Sequence, residues 1–279
     1  MRLDDTVLRE RSAQENFPVA SRALPRAVRS HLLAIYGVAR VIDDTGDELA
    51  GDRMDALDAL EDQLERAYRG TATHPAFVRL TPTLRELDLD DAPFRALIEA
   101  NRVDQVVSHY DTWTSLRGYC ALSANPVGRL VLAVLGAETP ERVAWSDDVC
   151  TSLQLVEHLQ DVSEDFARGR VYLPAEDLDR FGASDADLAS APASGPLRAV
   201  VAHEVDRARR LLHRAAPPLC GSLGGRARLA VAGFAGGGLA TLDAIEAARY
   251  DVLAVDARPS RVRTLYRTVQ VGVAGRGAA

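Results

Sequence analysis

Aromatic residues make up only 5% of the 279 positions, which leaves little material for base-stacking platforms. Basic runs are absent and the formal net charge is −7, so nucleic acid is excluded as a partner. Cysteine is confined to Cys120, Cys150 and Cys220. Their wide spacing and odd number give neither a disulfide framework nor a CxxC or Cys/His zinc pattern, and all three read as buried thiols in a reducing cytosol. The opening stretch MRLDDTVLRERSAQ is charged and has no apolar core, so no secretory signal is expected. No run is expected to reach transmembrane length. The expectation is a cytoplasmic protein that does not span a membrane but can touch its surface. Strand patterning is nearly missing too, and no strand–GxGxxG–helix context exists for a nicotinamide cofactor.

What is abundant is helical periodicity. The chain is 47% apolar and 26% charged, and Ala, Leu, Arg and Glu recur at helical spacing. Helices are expected near 4–14, 25–48, 52–69, 75–87, 91–109, 112–121, 125–136, 146–167, 195–215, 224–250 and 258–269. Short polar or Gly/Pro stretches such as GTATHP and ASAPASGP separate them. With no tandem repeat and no dividing linker, the expectation is a single all-α domain over residues 1–279.

Two of these helices carry a double pattern. In VARVIDDTGDEL, three aspartates fall within five positions, Asp43, Asp44 and Asp47. The apolar stripe Val28, Leu32, Ile35, Ala39, Ile42 recurs at steps of 4, 3, 4 and 3, and a polar stripe Tyr36, Arg40, Asp43, Asp47 runs beside it, about 100° round the helix. The second helix sets Val149, Leu153, Val156, Leu159 and Phe166 beside Gln154, Glu157, Asp161, Asp165 and Arg168.

Like charges at i and i+4 repel, and more so where solvent is partly excluded. A hard divalent cation relieves them, and Mg²⁺ suits carboxylate oxygens and substrate phosphates together. One DDxxD on a helix is most often a solvated acidic face. A second acidic column on another amphipathic helix shifts the reading to two faces that grip a diphosphate through Mg²⁺, beside an apolar cavity for a hydrocarbon.

Other features have plainer readings. Arg26 and Arg29 read as surface charges and His158 as structural. GFAGGG lacks the Lys-Ser/Thr of a P-loop and reads as close helix packing, HEVDR lacks the second histidine of HExxH, and GRVYLP reads as an ordered connector.

The stretches ENFPVASRALPRAVRSHLLAIYGVARVIDDTGDE, YCALSANPVGRLVLAVLG and LQLVEHLQDVSEDFARGRVYLP together resemble the squalene/phytoene synthase family, from about Glu15 to about Arg263. ENFPVASR and SANPVGRLVL look most like its hydroxysqualene synthase branch. The resemblance implies an all-α isoprenoid synthase bundle whose two aspartate-rich helices face each other across a central cavity. It implies Asp43, Asp44, Asp47, Asp161 and Asp165 as Mg²⁺ ligands, with Glu157 an additional one. Tyr36, Tyr119 and Tyr250 fall on family tyrosines that shape the cavity. Arg40, Gln154, Asn16 and Phe17 match residues around the diphosphate, Arg22 joins them, and Arg261 and Arg263 resemble a C-terminal diphosphate-binding arginine.

Where condensing members read Asn and Arg, as in NILRDV, this chain has Glu157 and Gln160. Less positive charge points to one bound diphosphate rather than two. The implied reaction is presqualene diphosphate to hydroxysqualene, with Mg²⁺ and without NADPH. The alternatives are head-to-head condensation to presqualene diphosphate, squalene or a phytoene-like product, and a non-catalytic assembly factor of the same fold. Partner enzymes of squalene formation are left open as contacts.

Overall fold

In the computed structural model, residues 24–277 are described; the helix expected over 4–14 lies outside them. The chain enters α1 (Arg26–Asp47) behind Pro25. Its apolar stripe does what the spacing predicts: Leu32, Ile35 and Ile42 are buried, while Val28 and Ala39 are half-buried. Helices α2 (Arg53–Arg69), α3 (Pro75–Leu87) and α4 (Ala92–Val103) follow. The Asp52 carboxylate accepts from the Asp55 amide to open α2, satisfying one of the unpaired N–H groups of the first turn. Helix α5 (Trp113–Ser123) starts on a Thr112/Ser115 capping box, and α6 (Asn125–Val134) has proline in its first turn.

Helix α7 (Pro140–Gln160) begins six residues earlier than the periodicity suggested. Thr139 caps it and Pro140 occupies its first turn, a start signal the periodicity count overlooked. The expected helix over 146–167 is interrupted at Asp161, and its last part is a separate α8 (Val162–Ala167). Two short helices, α9 (Ala175–Phe181) and α10 (Asp185–Leu188), were not foreseen. Helix α11 (Gly195–Ser222) continues through Pro217 and Pro218, α12 (Gly225–Ala247) follows, and α13 (Arg261–Gly277) is longer than expected.

The helix expected over 91–109 stops at Val103. Residues 108–111 instead run beside the GRVYLP segment. The Val171 amide donates to the Ser108 carbonyl at 2.8 Å, and Ala175 and Glu176 donate to Tyr110 and Asp111, each at 2.9 Å. GRVYLP is therefore an ordered connector, and among the described residues β structure is limited to one parallel bridge, His109–Val171.

Buried side chains form two clusters. One gathers α1 to α4, with Ile42, Leu57, Phe77 and Phe94. The other gathers α5, α7, α11 and α12, with Leu116, Leu155, Leu212 and Leu242. Helix α6 serves both, giving Leu130 and Val134 to the first and Leu132 to the second. Cys120 and Cys220 are buried free thiols as expected, whereas Cys150 is only half-buried.

Contrary to the expectation about apolar runs, α12 is long and apolar enough to cross a bilayer by length and composition. It is a core helix: Val231, Ala235, Leu239, Leu242 and Ile245 are buried. GFAGGG lies within it and brings other helices close. A Cβ at Gly236 would stand 2.5 Å from the Thr268 amide nitrogen of α13, so only glycine permits this approach.

Candidate active site

The end of α1 carries the first acidic group. Asp43 is largely withdrawn from solvent, and burial pushes its pKa up to about 6, with Asp47 and Asp44 adding to the rise. Asn101 at the end of α4 donates to Asp43 Oδ1 at 3.3 Å. Gly46 makes room for that amide, since a Cβ there would lie 2.0 Å from Asn101 Oδ1. Asp44 is held by Arg40, Nε to Oδ1 at 2.8 Å. Asp47 turns outward and accepts from Arg170 Nη1 at 2.8 Å. Tyr36 lies half-buried earlier on the same helix.

Arg170 connects the two halves of the molecule. It sits in GRVYLP, after the second acidic helix, yet it reaches Asp47 on α1 and the Asp104 carbonyl at 3.3 Å. Asp104 accepts from Tyr119 at 2.6 Å and from Tyr172 at 2.9 Å. Both its carboxylate oxygens are thereby used, while burial raises its pKa. Tyr110, Tyr119 and Tyr172 cluster with ring centroids 5.4 to 5.9 Å apart.

His158 stacks on Tyr172 at 3.9 Å, with the planes 9° apart. Burial lowers its pKa to about 3, so the ring is neutral near pH 7 and suits the structural role expected of it. Gln154 pairs with His158 Nε2 at 3.3 Å, and Nδ1 lies 3.9 Å from Asp165 Oδ2.

The second acidic group straddles the break after α7. The Asp165 amide donates to the Asp161 carbonyl at 2.8 Å, which preserves the one-turn relation although the helix is interrupted. Burial and then Asp161 push Asp165 up to about 7. Asp161 faces solvent, yet partial loss of hydration and then Glu164 raise it as well. Asp165 opens on a small cleft with Val162, Phe166, Leu173 and Leu188 as apolar walls and His158 and Arg170 at its polar end. Glu157 is half-buried one turn before Asp161. Gln160 donates to the Ala257 carbonyl at 3.3 Å.

The structure thus gathers the expected Asp47 and Tyr119 around Arg170 and Asp104, sets Gln154 and Asp165 against His158, which stacks on Tyr172, and keeps Asp43 apart with Asn101; it also adds residues the sequence reading missed. Asn101, Asp104, Arg170 and Tyr172 come from α4, its C-cap and the connector. Their signals were present as Asn and Asp three apart at a helix end, and as an arginine and a tyrosine just after the second acidic column.

Other expected residues have their own surroundings. Arg261 and Arg263 begin α13, where both are exposed and Arg263 lies 3.6 Å from Asp243. Tyr250 is half-buried after α12, with its pKa raised by burial and then by Glu246 and Asp206. Asn16, Phe17 and Arg22 lie outside the described residues.

The acid network fits a hard cation. Two of its carboxylates titrate near neutrality because burial and neighbouring charge oppose ionisation, the strain that a divalent ion relieves. Among the described residues the ligand atoms that lie within 4.8 Å of one another belong to a different set, Asp177, His203 and Glu204. Arg207 already lies among them, 2.9 Å from Asp177 and bonded to Glu204 and His203. Its guanidinium supplies the positive charge there, so the set is an ion-pair network.

Residues 11–266 match the squalene/phytoene synthase family. Hydroxysqualene synthase of Zymomonas mobilis is 36% identical over 205 residues, 72% of this chain and 68% of that protein. Hydroxysqualene synthase of Rhodopseudomonas palustris is 40% identical over 178 residues, 62% of this chain and 60% of that one. The 15-cis-phytoene synthase of Synechocystis is 35% identical over 219 residues, 73% and 65% respectively. The chain therefore matches between 60% and 68% of these curated relatives' own lengths. Among solved structures, squalene synthase HpnC from Alicyclobacillus acidocaldarius superposes with a TM-score of 0.82 at 45% identity, over 88% of this chain and 94% of that one. A dehydrosqualene synthase in complex with ligand gives a TM-score of 0.87 at 23% identity, over 98% and 96%, and shares the fold.

Proposed function

This chain belongs to the squalene/phytoene synthase family of enzymes, and from that premise we propose that it converts presqualene diphosphate to hydroxysqualene. The observation that carries the reading is that Asp47 on α1 and Asp165 after the α7 break share Arg170 and Asp104 as charged neighbours. Asp43, Asp44, Asp47, Asp161 and Asp165 would hold Mg²⁺, with Glu157 beside them. When bound, Mg²⁺ supplies the positive charge that stabilises a departing diphosphate.

The chain's own residues do the rest. Arg40 and Arg22, with Asn16, Phe17 and Gln154, are the proposed diphosphate contacts, whereas Arg261 and Arg263 stand exposed on α13 beside Asp243 and are left out of the set. Apolar walls such as Val162, Phe166 and Leu173 keep bulk water from the allylic cation. The phenols of Tyr119 and Tyr172 stay protonated, since burial raises both pKa values. With Tyr36 and Tyr250 they would shape the space in which one water attacks. That water forms the new C–O bond and loses a proton to solvent, so no hydride donor is needed.

A resemblance and a comparison favour this outcome over condensation of two prenyl diphosphates. By the sequence resemblance Glu157 and Gln160 stand where condensing members read Asn and Arg, and Gln160 donates to the Ala257 carbonyl. The hydroxysqualene synthase names also recur among the relatives. Condensation is the second reading, favoured by the 35% identity to a phytoene synthase. The non-catalytic reading is disfavoured because both acidic groups keep their aspartates.

The test supplies the purified chain and Mg²⁺ with presqualene diphosphate or with farnesyl diphosphate, without NADPH. Hydroxysqualene from presqualene diphosphate alone supports the proposal. A condensed product from farnesyl diphosphate supports the second reading. Inactivity with both, and no Mg²⁺-dependent binding of either, overturns both.

A further inference from the structure

Helix α13 turns two unlike sides to its surroundings. Its inner side packs through Thr268, Val271 and Gly275, with Gly275 close enough that a Cβ would lie 2.9 Å from the Gly221 amide nitrogen of α11. The outer side carries Val262, Leu265, Tyr266, Val269 and Val273, at steps of 3, 1, 3 and 4. These five are between 53% and 79% exposed. Apolar side chains at helical spacing normally face a core. Here they form a continuous exposed stripe, the kind of surface that marks an interaction site.

Charge decides what fits it. From Ala257 to Ala279 the chain has five arginines, Arg258, Arg261, Arg263, Arg267 and Arg276, and no aspartate or glutamate, although the whole chain carries −7. Arg258 pairs with Asp256 at 2.7 Å, and Arg263 and Arg267 share the Asp243 carboxylate with Arg209, which also reaches Glu246, so the arginines of this segment outnumber the acids beside them. A second copy docked on this face would bring two arginine-rich segments together, which like-charge repulsion opposes.

We infer that α13 is an interfacial helix that lies flat on an anionic lipid surface. The acyl region takes the Val262–Val273 stripe, the headgroups take the flanking guanidinium groups, and Tyr266 sits at the boundary. At 17 residues the helix is about 25 Å long, so it rests on a membrane without spanning it. The inference stands on the surface of α13 and does not depend on the proposed reaction. Such docking would bring a hydrocarbon-tailed substrate and product next to the bilayer that dissolves them.

The experiment is flotation of the full chain with vesicles of phosphatidylcholine, with and without phosphatidylglycerol. The expected result is association with the phosphatidylglycerol vesicles, weakened by added salt. The double variant Leu265→Gln/Val269→Gln should bind about tenfold more weakly or worse, with unchanged helicity by circular dichroism. As an independent reading, Tyr266→Trp should shift its fluorescence to the blue when phosphatidylglycerol vesicles are added. No association, equal association with both vesicle types, or an unaffected double variant overturns the inference. So does a dimer that the double variant dissolves while vesicles are ignored, which would assign the stripe to a second copy. A failure here leaves the product assay above untouched, because flotation reads partition alone.

Discussion

Asp43 and Asp165 hold protons near neutrality for the same reason, burial among other carboxylates. Their folded-state values of about 6 and about 7 lie above the ordinary 3.8. Between about pH 4 and about pH 7 the folded chain therefore binds more protons than the unfolded one, and stability falls as pH rises through that window. In metal-free buffer these two groups should make the melting temperature lower at pH 7.5 than at pH 5, and Mg²⁺ should restore most of the loss at the higher pH. A melting temperature that rises with pH in metal-free buffer contradicts this account of the site. Asp43→Asn and Asp165→Asn should each lower kcat by about 10²–10³-fold, since each weakens charge stabilisation at the leaving group. Steady-state kinetics against Mg²⁺ concentration checks that. The aspartates were legible because helical spacing puts them on one face beside an apolar stripe. Arg170, Asp104 and Asn101 were not, because their partners are 123, 15 and 58 positions away, and no local spacing reports such distances.

At the scale of elements, most helices were readable from periodicity, and the departures have local causes. The periodicity runs on past Val103, where Asp104 turns its carboxylate to Tyr119 and Tyr172 instead of continuing the helix. At Asp161 the backbone leaves helical geometry, with φ −100° and ψ 11°, although the polar column continues across it. Short helices α9 and α10, of 7 and 4 residues, are too brief to show a period. Asp104→Asn should cost about 1–2 kcal/mol of stability, because it converts a buried acceptor of two phenol hydrogen bonds into a weaker one, as read from denaturant titration. Gly236→Val should cost more, about 3 kcal/mol, because the added side chain meets the Thr268 backbone, which cannot swing aside. Thermal unfolding distinguishes the two.

Across the whole molecule, the two buried clusters share α6, and the acidic groups lie where the clusters meet, with Arg170 and Asp47 reaching from one to the other. We propose on this basis that residues 24–277 unfold as one unit, giving coincident transitions by tyrosine fluorescence and by circular dichroism; two separated transitions would divide the chain. The same placement supports the proposed diphosphate site. One core presents Asp43 and Asp47, the other presents Asp161 and Asp165, and a ligand that joins them couples both halves. The central claim is that water, and not hydride or a second prenyl group, ends the reaction. Its most direct test is turnover of presqualene diphosphate with Mg²⁺ in heavy-oxygen water, without NADPH, followed by mass spectrometry of the product. The account predicts hydroxysqualene carrying one heavy oxygen. A hydrocarbon without oxygen, or an alcohol without the label, would contradict it.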